Sequence, residues 1–286
     1  GNPDYSKSEV RALDVLPSGK VLLAVKALIM KSWGVHGSYA EMIRLLPDGT
    51  PDPVFGNGEG RGANWPGSPG WLDNSQMYPR DLIALAGGGF LISGRAEGIK
   101  GVDSVGAQKH WAFVGKWNSD SRRVKSFGNN GLGIFRFGSP EYPRWNEVQE
   151  MKRLRSGRIL VGGYFRSQFL VGRLTNNGRW DRTFGANKRG FTIVTKRQNG
   201  KPCRCEVGMG IDTDKRGRIV LGGYSHPNGT KVKDQQVLNL LRFKPNGKLD
   251  RSFGHRGRVS INVGNYISVR DVAVHPSGRI FLSAYL

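Results

Sequence analysis

Three arginines stand at one register in the chain. Arg11, Arg80 and Arg270 each lie eight residues before a glycine in a polar turn, and Gln149 and Met209 hold that place in two further segments. Arginine presents a planar fork of donors, so three copies in register suit a carboxylate or phosphate group. The acids one position later, Asp81, Glu150 and Asp271, offer the alternative of a ring of structural ion pairs. Lys196, Arg197, Lys201 and Arg204 fall within nine residues, and Lys231 and Lys233 lie in a second polar stretch; both groups suit an anion. Trp33, Trp71 and Trp145 lie in or beside long segments, where an indole either stacks on a sugar or base or packs its own loop. A third set of cations, Arg44, Lys116, Arg173 and Arg242, is expected to be structural, because Asp52, Asp181 and Asp250 follow three of them by eight residues.

Familiar catalytic signatures are missing: there is no nucleophile elbow, phosphate-cradling loop or HExxH. The DTDKRG stretch from Asp212 opens like a calcium loop, yet Lys215 and Arg216 occupy positions that need oxygen ligands. Cys203 and Cys205 are the only cysteines, too close for an unstrained disulfide, and no histidine stands at ligand spacing from them. Two unpaired thiols, no metal and no cofactor are the expectation.

What must position these residues is a repeat. A turn followed by an apolar run recurs as LPSGKVLLAV, LAGGGFLISG, LRSGRILVGG, DKRGRIVLGG and HPSGRIFLSA, with turn glycines Gly19, Gly88, Gly157, Gly217 and Gly278. A second anchor ends in Phe-Gly at Phe55, Phe127, Phe184 and Phe253, each eleven residues after its basic residue. Apolar runs precede every turn and follow every Phe-Gly. Four short strands per repeat of roughly 60 residues are the pattern of a β-propeller blade. The repeats span about 9–62, 78–138, 145–195, 206–264 and 265–286 of a single domain. The expectation is an all-β, five-bladed propeller whose last blade is incomplete or completed by residues 2–8.

The element PNGKLDRSFGHRG, from Pro245 to Gly257, and NNGRWDRTFG near it resemble the bacterial delta-sixty repeat, a β-propeller repeat. That resemblance implies the propeller fold and a secreted, periplasmic or cell-surface setting; it implies no particular activity. The second repeat departs from the pattern, with Val124 where the others have aspartate.

Charge then narrows the function classes. Lys+Arg number 44 against 22 Asp+Glu, a net +22, of which +3 falls on residues 1–143 and +19 on residues 144–286. No apolar run reaches the roughly 18 residues of a membrane helix. Arg155, Arg158, Lys215, Arg216 and Arg218 are read as turn-edge cations that keep a β-rich protein soluble. The longer connections, 26–38, 62–78, 95–110, 138–147, 195–206 and 225–236, fall on one side of the blades and are expected to form the binding face. The leading expectation is a monomeric, non-enzymatic scaffold that binds an anionic glycan or an acidic protein surface there, with non-specific nucleic-acid binding as a weaker version. The alternative is a hydrolase or lyase acting on an anionic substrate at the channel mouth.

Overall fold

A computed structural model of the chain describes residues 5–31, 34–56, 58, 60–62, 76–97, 110–129, 131–135, 146–195, 197–198, 201–202, 206–226, 236–263 and 267–285. The chain is all-β. The first sheet holds β1 (Tyr5–Val15), β2 (Val21–Lys31), β3 (Gly34–Leu45) and β4 (Arg61–Gly62), and the second holds β5 (Gln76–Ala84), β6 (Phe90–Glu97), β7 (His110–Trp117) and β8 (Leu132–Phe135). The third holds β9 (Asn146–Arg153), β10 (Ile159–Phe165), β11 (Gln168–Leu174) and β12 (Phe191–Val194). A two-stranded ribbon follows, β13 (Arg197–Gln198) with β14 (Lys201–Pro202). The fourth sheet holds β15 (Glu206–Thr213), β16 (Ile219–Ser225), β17 (Val237–Phe243) and β18 (Arg258–Asn262). β19 (Ser268–Val274) and β20 (Ile280–Tyr285) form a last sheet of two strands among the described residues. Each four-stranded sheet is an antiparallel meander in chain order. Contacts divide the chain into two compact units, residues 1–148 and 149–286.

The turn glycines do what their spacing predicts. Gly19, Gly88, Gly157, Gly217 and Gly278 have φ between +72° and +89°, and each amide donates to the carbonyl three residues earlier. That left-handed conformation suits glycine and little else. In the second unit the second strands bury both faces in two sheets: every residue of β10 and all but one of β16 are buried. Leu22, Met42, Phe90 and Phe113 lie in one apolar cluster of the first unit, and Leu160, Phe169, Ile211 and Leu241 in one of the second.

The eleven-residue spacing has a backbone cause. Eight residues after the basic residue, an amide donates back to that residue's own carbonyl: Asp52 to Arg44, Val124 to Lys116, Asp181 to Arg173 and Asp250 to Arg242, at 2.8–2.9 Å. Three residues on, the Phe amide donates to the carbonyl of that eighth residue at 2.9–3.1 Å. The expected ion pairs sit on this frame, Arg44–Asp52 at 2.6 Å and Arg173–Asp181 and Arg242–Asp250 at 2.8 Å. Each guanidinium also lies over the ring of its Phe-Gly anchor, 4.4–4.7 Å from the centroids of Phe55, Phe184 and Phe253. Gly190 closes the same turn at φ +89°, where a Cβ would stand 2.7 Å from that of Trp180.

Neighbouring sheets within a unit are tied through their first strands. Asp14 accepts the amide of Ala84 at 2.8 Å, Glu150 that of Ile211 at 2.6 Å and Asp212 that of Val274 at 2.6 Å. In these first strands the ladder skips one residue at one register: Arg11, Arg80, Met209 and Arg270. Such β-bulges re-aim a side chain and bend the strand.

Two expectations are corrected. Of residues 2–8, the described ones do not complete the last sheet, since Tyr5, Lys7 and Ser8 pair with Ile29, Leu28 and Ala27 of β2. The long apolar β2 gives them a ladder in their own sheet. The described residues of segment 26–38 are likewise no loop: 26–31 and 34–38 extend β2 and β3, from Lys26↔Ala40 to Lys31↔Gly34. Within 195–206, β13 and β14 pair as a short hairpin. No helix among the described residues is long and apolar enough to cross a membrane.

The aspartates of the hairpins link this fold to pH. Burial raises Asp52 and Asp181, but hydrogen bonds from Lys20 and Thr183, with the arginines, outweigh it and hold both below the usual carboxylate range. The Ser252 hydroxyl and then Arg242 do the same for Asp250 against burial. A carboxylate lowered in the folded state stabilises fully above its unfolded pKa of roughly 4, and the gain is lost as pH falls through the lowered value. Thermal melts between about pH 6 and pH 2 should therefore show falling stability. Asp181→Asn should cost about 3 kcal/mol at neutral pH and reduce that acid slope; an unchanged slope would count against the ion pairs.

Candidate functional site

The bulge arginines of the first unit do not stand alone. Glu9 and Arg11 come from β1, Lys26 from β2, Tyr78 and Arg80 from β5, Arg95 from β6 and Glu147 from the start of β9. Two cross-strand pairs set the frame, Glu9 opposite Lys26 and Tyr78 opposite Arg95. They occupy equivalent places in successive sheets, ten residues before and seven after the turn glycine.

Arg11 bonds Glu9 at 2.6 Å, and the Arg80 Nε donates to Glu147 Oε1 at 2.5 Å. Glu147 is fully buried, so Arg80 compensates a charge that has left water. Lys26 Nζ lies 4.9 Å and Arg95 Cζ 4.2 Å from the centroid of the Tyr78 ring, whose π face favours cations. Burial, then repulsion from Arg11, Arg80 and Arg95, lowers the Lys26 pKa, with Glu9 pulling the other way. Among the described residues four cations stand against two carboxylates, a net positive group whose lysine gives up its proton more readily than a free one. Such a group can hold an anion and makes its lysine a better candidate base than an unperturbed one.

The sequence placed Arg11 and Arg80 here but missed Lys26, Tyr78, Arg95, Glu9 and Glu147. Projecting each hairpin's register from its turn glycine would have found the two cross-strand pairs. The acids one place after the arginines make different bonds: Asp81 accepts its neighbour Leu82 N and Asp271 accepts Val272 N. Arg270, in the second unit, is exposed on β19. Of the loop cations, Arg197 and Lys201 belong to the β13–β14 hairpin, opposite Pro202 and Gln198. Lys196, Arg204, Lys231, Lys233, Trp33, Trp71, Trp145, Cys203 and Cys205 lie outside the described residues. Two turn-edge cations are engaged, Arg158 with Asp181 at 2.9 Å and Arg218 with Asp214 at 2.6 Å. Among the described residues no three His, Cys, Asp or Glu side chains group to hold a metal.

A second polar group surrounds Glu206, buried at the start of β15 and paired with Arg258. Beside it Asn239 donates to Ser225 at 2.9 Å and accepts from Ser260 at 2.8 Å. These bonds tie β15, β16, β17 and β18 of the fourth sheet together.

A family model described as "Domain of unknown function (DUF5122) beta-propeller" matches residues 154–184 and 217–253, parts of the third and fourth repeats. This supports a β-propeller family and does not single out the delta-sixty repeat. No curated protein matches the chain. Solved structures similar to it include a glycosyl hydrolase from Bacteroides ovatus, at 9% identity and a TM-score of 0.43, covering 98% of this chain and 85% of that one. A second is a member of a mannoside phosphorylase family containing glycoside hydrolases that target β-1,2 mannosidic linkages in Candida mannan, at 9% identity and TM-score 0.41, with 98% and 85% covered. A third is a glycoside hydrolase from Parabacteroides distasonis, at 11% identity and TM-score 0.39, with 98% and 87% covered. The expectation of a non-enzymatic scaffold is corrected here, since these similar structures are titled as enzymes. With TM-scores below 0.5, the function is read from the chain's own residues.

A lysine lowered in the folded state destabilises the fold below its folded pKa, and the penalty fades as pH rises towards its unfolded value. Lys26→Met should therefore raise the melting temperature at neutral pH, and the gain should shrink in alkaline buffer. A loss of stability at neutral pH would refute the repulsion described for this cluster.

Proposed function

We propose that the chain is an exported five-bladed propeller of the delta-sixty type and a lyase for an anionic polymer such as a polyuronate. The observation that carries the reading is Lys26, with its lowered pKa, among Arg11, Arg80 and Arg95 and beside Tyr78. A carboxylate next to the reacting carbon is neutralised by the arginines, which makes the adjacent proton easier to remove. The neutral Lys26 amine takes that proton, the C–O bond to the leaving sugar breaks, and the Tyr78 hydroxyl gives the departing oxygen its proton. A double bond remains in the product.

Elimination fits this cluster better than hydrolysis. Glycoside hydrolysis generally uses two carboxylates that reach the scissile bond. Here Glu147 is fully buried against Arg80 and Glu9 is bonded to Arg11. Both serve to position arginines.

Polygalacturonate, alginate and a neutral glucan should be incubated with the protein and followed by the ultraviolet absorbance of an unsaturated product. Acidic polymers alone should react, and Lys26→Met should lower the rate by roughly 100-fold or more. The rate should rise with pH through a value below the ordinary lysine range. A full rate in Lys26→Met, or no product from any acidic polymer, would overturn the proposal.

A further inference from the structure

The turns that join first to second and third to fourth strands fall at one end of each meander. In the second unit that end is basic. Arg155, Arg179 and Arg182 in the third sheet and Lys215, Lys244 and Lys248 in the fourth are exposed, and none has a carboxylate partner among the described residues. The acids of these turns are already engaged: Asp181 with Arg158 and Arg173, Asp214 with Arg218 and Asp250 with Arg242.

These turns make one continuous surface. A Cβ on Gly157 would lie 3.6 Å from that of Asn176, and one on Gly217 3.6 Å from Pro245 Cγ, so the two turns touch within each sheet. Between the sheets, Arg173 Nη1 donates to Pro245 O at 3.0 Å and Gly185 N to Asn246 O at 2.9 Å, while the Phe184 ring packs against Gly247. The first unit repeats the joint, with Arg44 Nη1 donating to Ser119 O at 2.7 Å.

That unit builds the same turns without the charge. Asp48 and Asp120 stand where the second unit has Asn177 and Asn246. Asp48 Oδ1 accepts the Thr50 amide at 2.9 Å and Asn246 Oδ1 that of Lys248 at 3.1 Å, so the turn bond is kept and only the negative charge is gone. The exposed Asp48 and Asp120 are matched in number by the exposed Arg122 and Lys125. Solubility makes the same demand on both units, so it does not account for an excess confined to one. Lys188 and Arg256 add to this excess at φ +52° and +51°, a left-handed conformation that glycine and asparagine enter at less cost. The turn alone would not select a cation there.

We propose that the turn end of the third and fourth sheets is a second binding surface for an acidic polysaccharide, which it holds by its carboxylates without reacting with it. Arginine forks and lysine ammonium groups in a row suit an anion repeated along a chain. No exposed Phe, Tyr or Trp lies in these two sheets among the described residues, whereas single-stranded nucleic acids are held largely by stacking on such rings. The exposed Ser156, Asn176 and Asn177 instead offer hydroxyl and amide groups to sugar hydroxyls. The identity of the polymer rests on the lyase reading; the surface uses no residue of the Lys26 cluster.

Polygalacturonate and duplex DNA are each titrated, by calorimetry at two salt concentrations, into the full chain carrying Lys26→Met to prevent turnover. Arg182→Gln with Lys248→Gln should weaken polygalacturonate binding about tenfold, and adding Arg155→Gln and Lys215→Gln should weaken it further and flatten its salt dependence. Arg122→Gln with Lys125→Gln removes the same charge from the first unit and should change the affinity by less than about twofold. With Lys26 restored, the quadruple variant should raise KM for the polymer about tenfold and leave kcat unchanged. The substituted side chains are exposed, so the variants should melt as the parent does. Unchanged polygalacturonate affinity in the quadruple variant, an equal loss from the first-unit pair, or a loss confined to DNA would overturn the proposal. Absence of turnover by the parent chain would overturn the lyase reading alone, because the titration does not depend on it.

Discussion

The hairpin between the third and fourth strands is the constraint from which the sheets are built. Its amide eight residues after the cation turns the chain back, and the Phe amide three residues later fixes the aromatic ring under the guanidinium. Ion pair, ring contact and glycine turn then agree on one geometry. The second sheet separates frame from ornament: Lys116 and Val124 keep both backbone bonds with no ion pair among the described residues. The frame is thus set by chain geometry and glycine, and the charges reinforce it where they occur.

That division explains what could be read in the sequence. The turn glycines and the eleven-residue interval are local, so the meanders and the Arg–Asp pairs were legible before any coordinates. The bulges were not, because a skipped residue leaves no mark on composition; yet they give Arg11 and Arg80 their direction. The cluster around Tyr78 was hidden for a related reason. Lys26 and Arg95 lie in second strands and look like ordinary polar ends there, and only the ladder sets them beside Glu9 and Tyr78. Glu147 is more remote still, 67 residues from the arginine that bonds it. Segment 26–38 misled because polarity and glycine suggested a loop, whereas cross-strand pairing carries both strands through it.

Net charge proved a poor guide to chemistry. The second half of the chain holds most of the +22, but much of that charge is spent on structure, as with Arg158, Arg173, Arg218 and Arg242. The nearly neutral half holds the cluster in which burial, and then repulsion among cations, lowers a lysine. Local crowding of like charges matters more for reactivity than the total.

The arginines of the first and third sheets reach their neighbours through main-chain carbonyls, those of Ser119 and Pro245. A carbonyl is present at every residue, so the junction places no demand on side-chain identity, and two residues as unlike as serine and proline serve equally. A gene encoding such units can duplicate, delete or shuffle them without reinventing the joint. The architecture is therefore open to growth by copying, and each new copy is free to diverge wherever the hairpin frame is left intact.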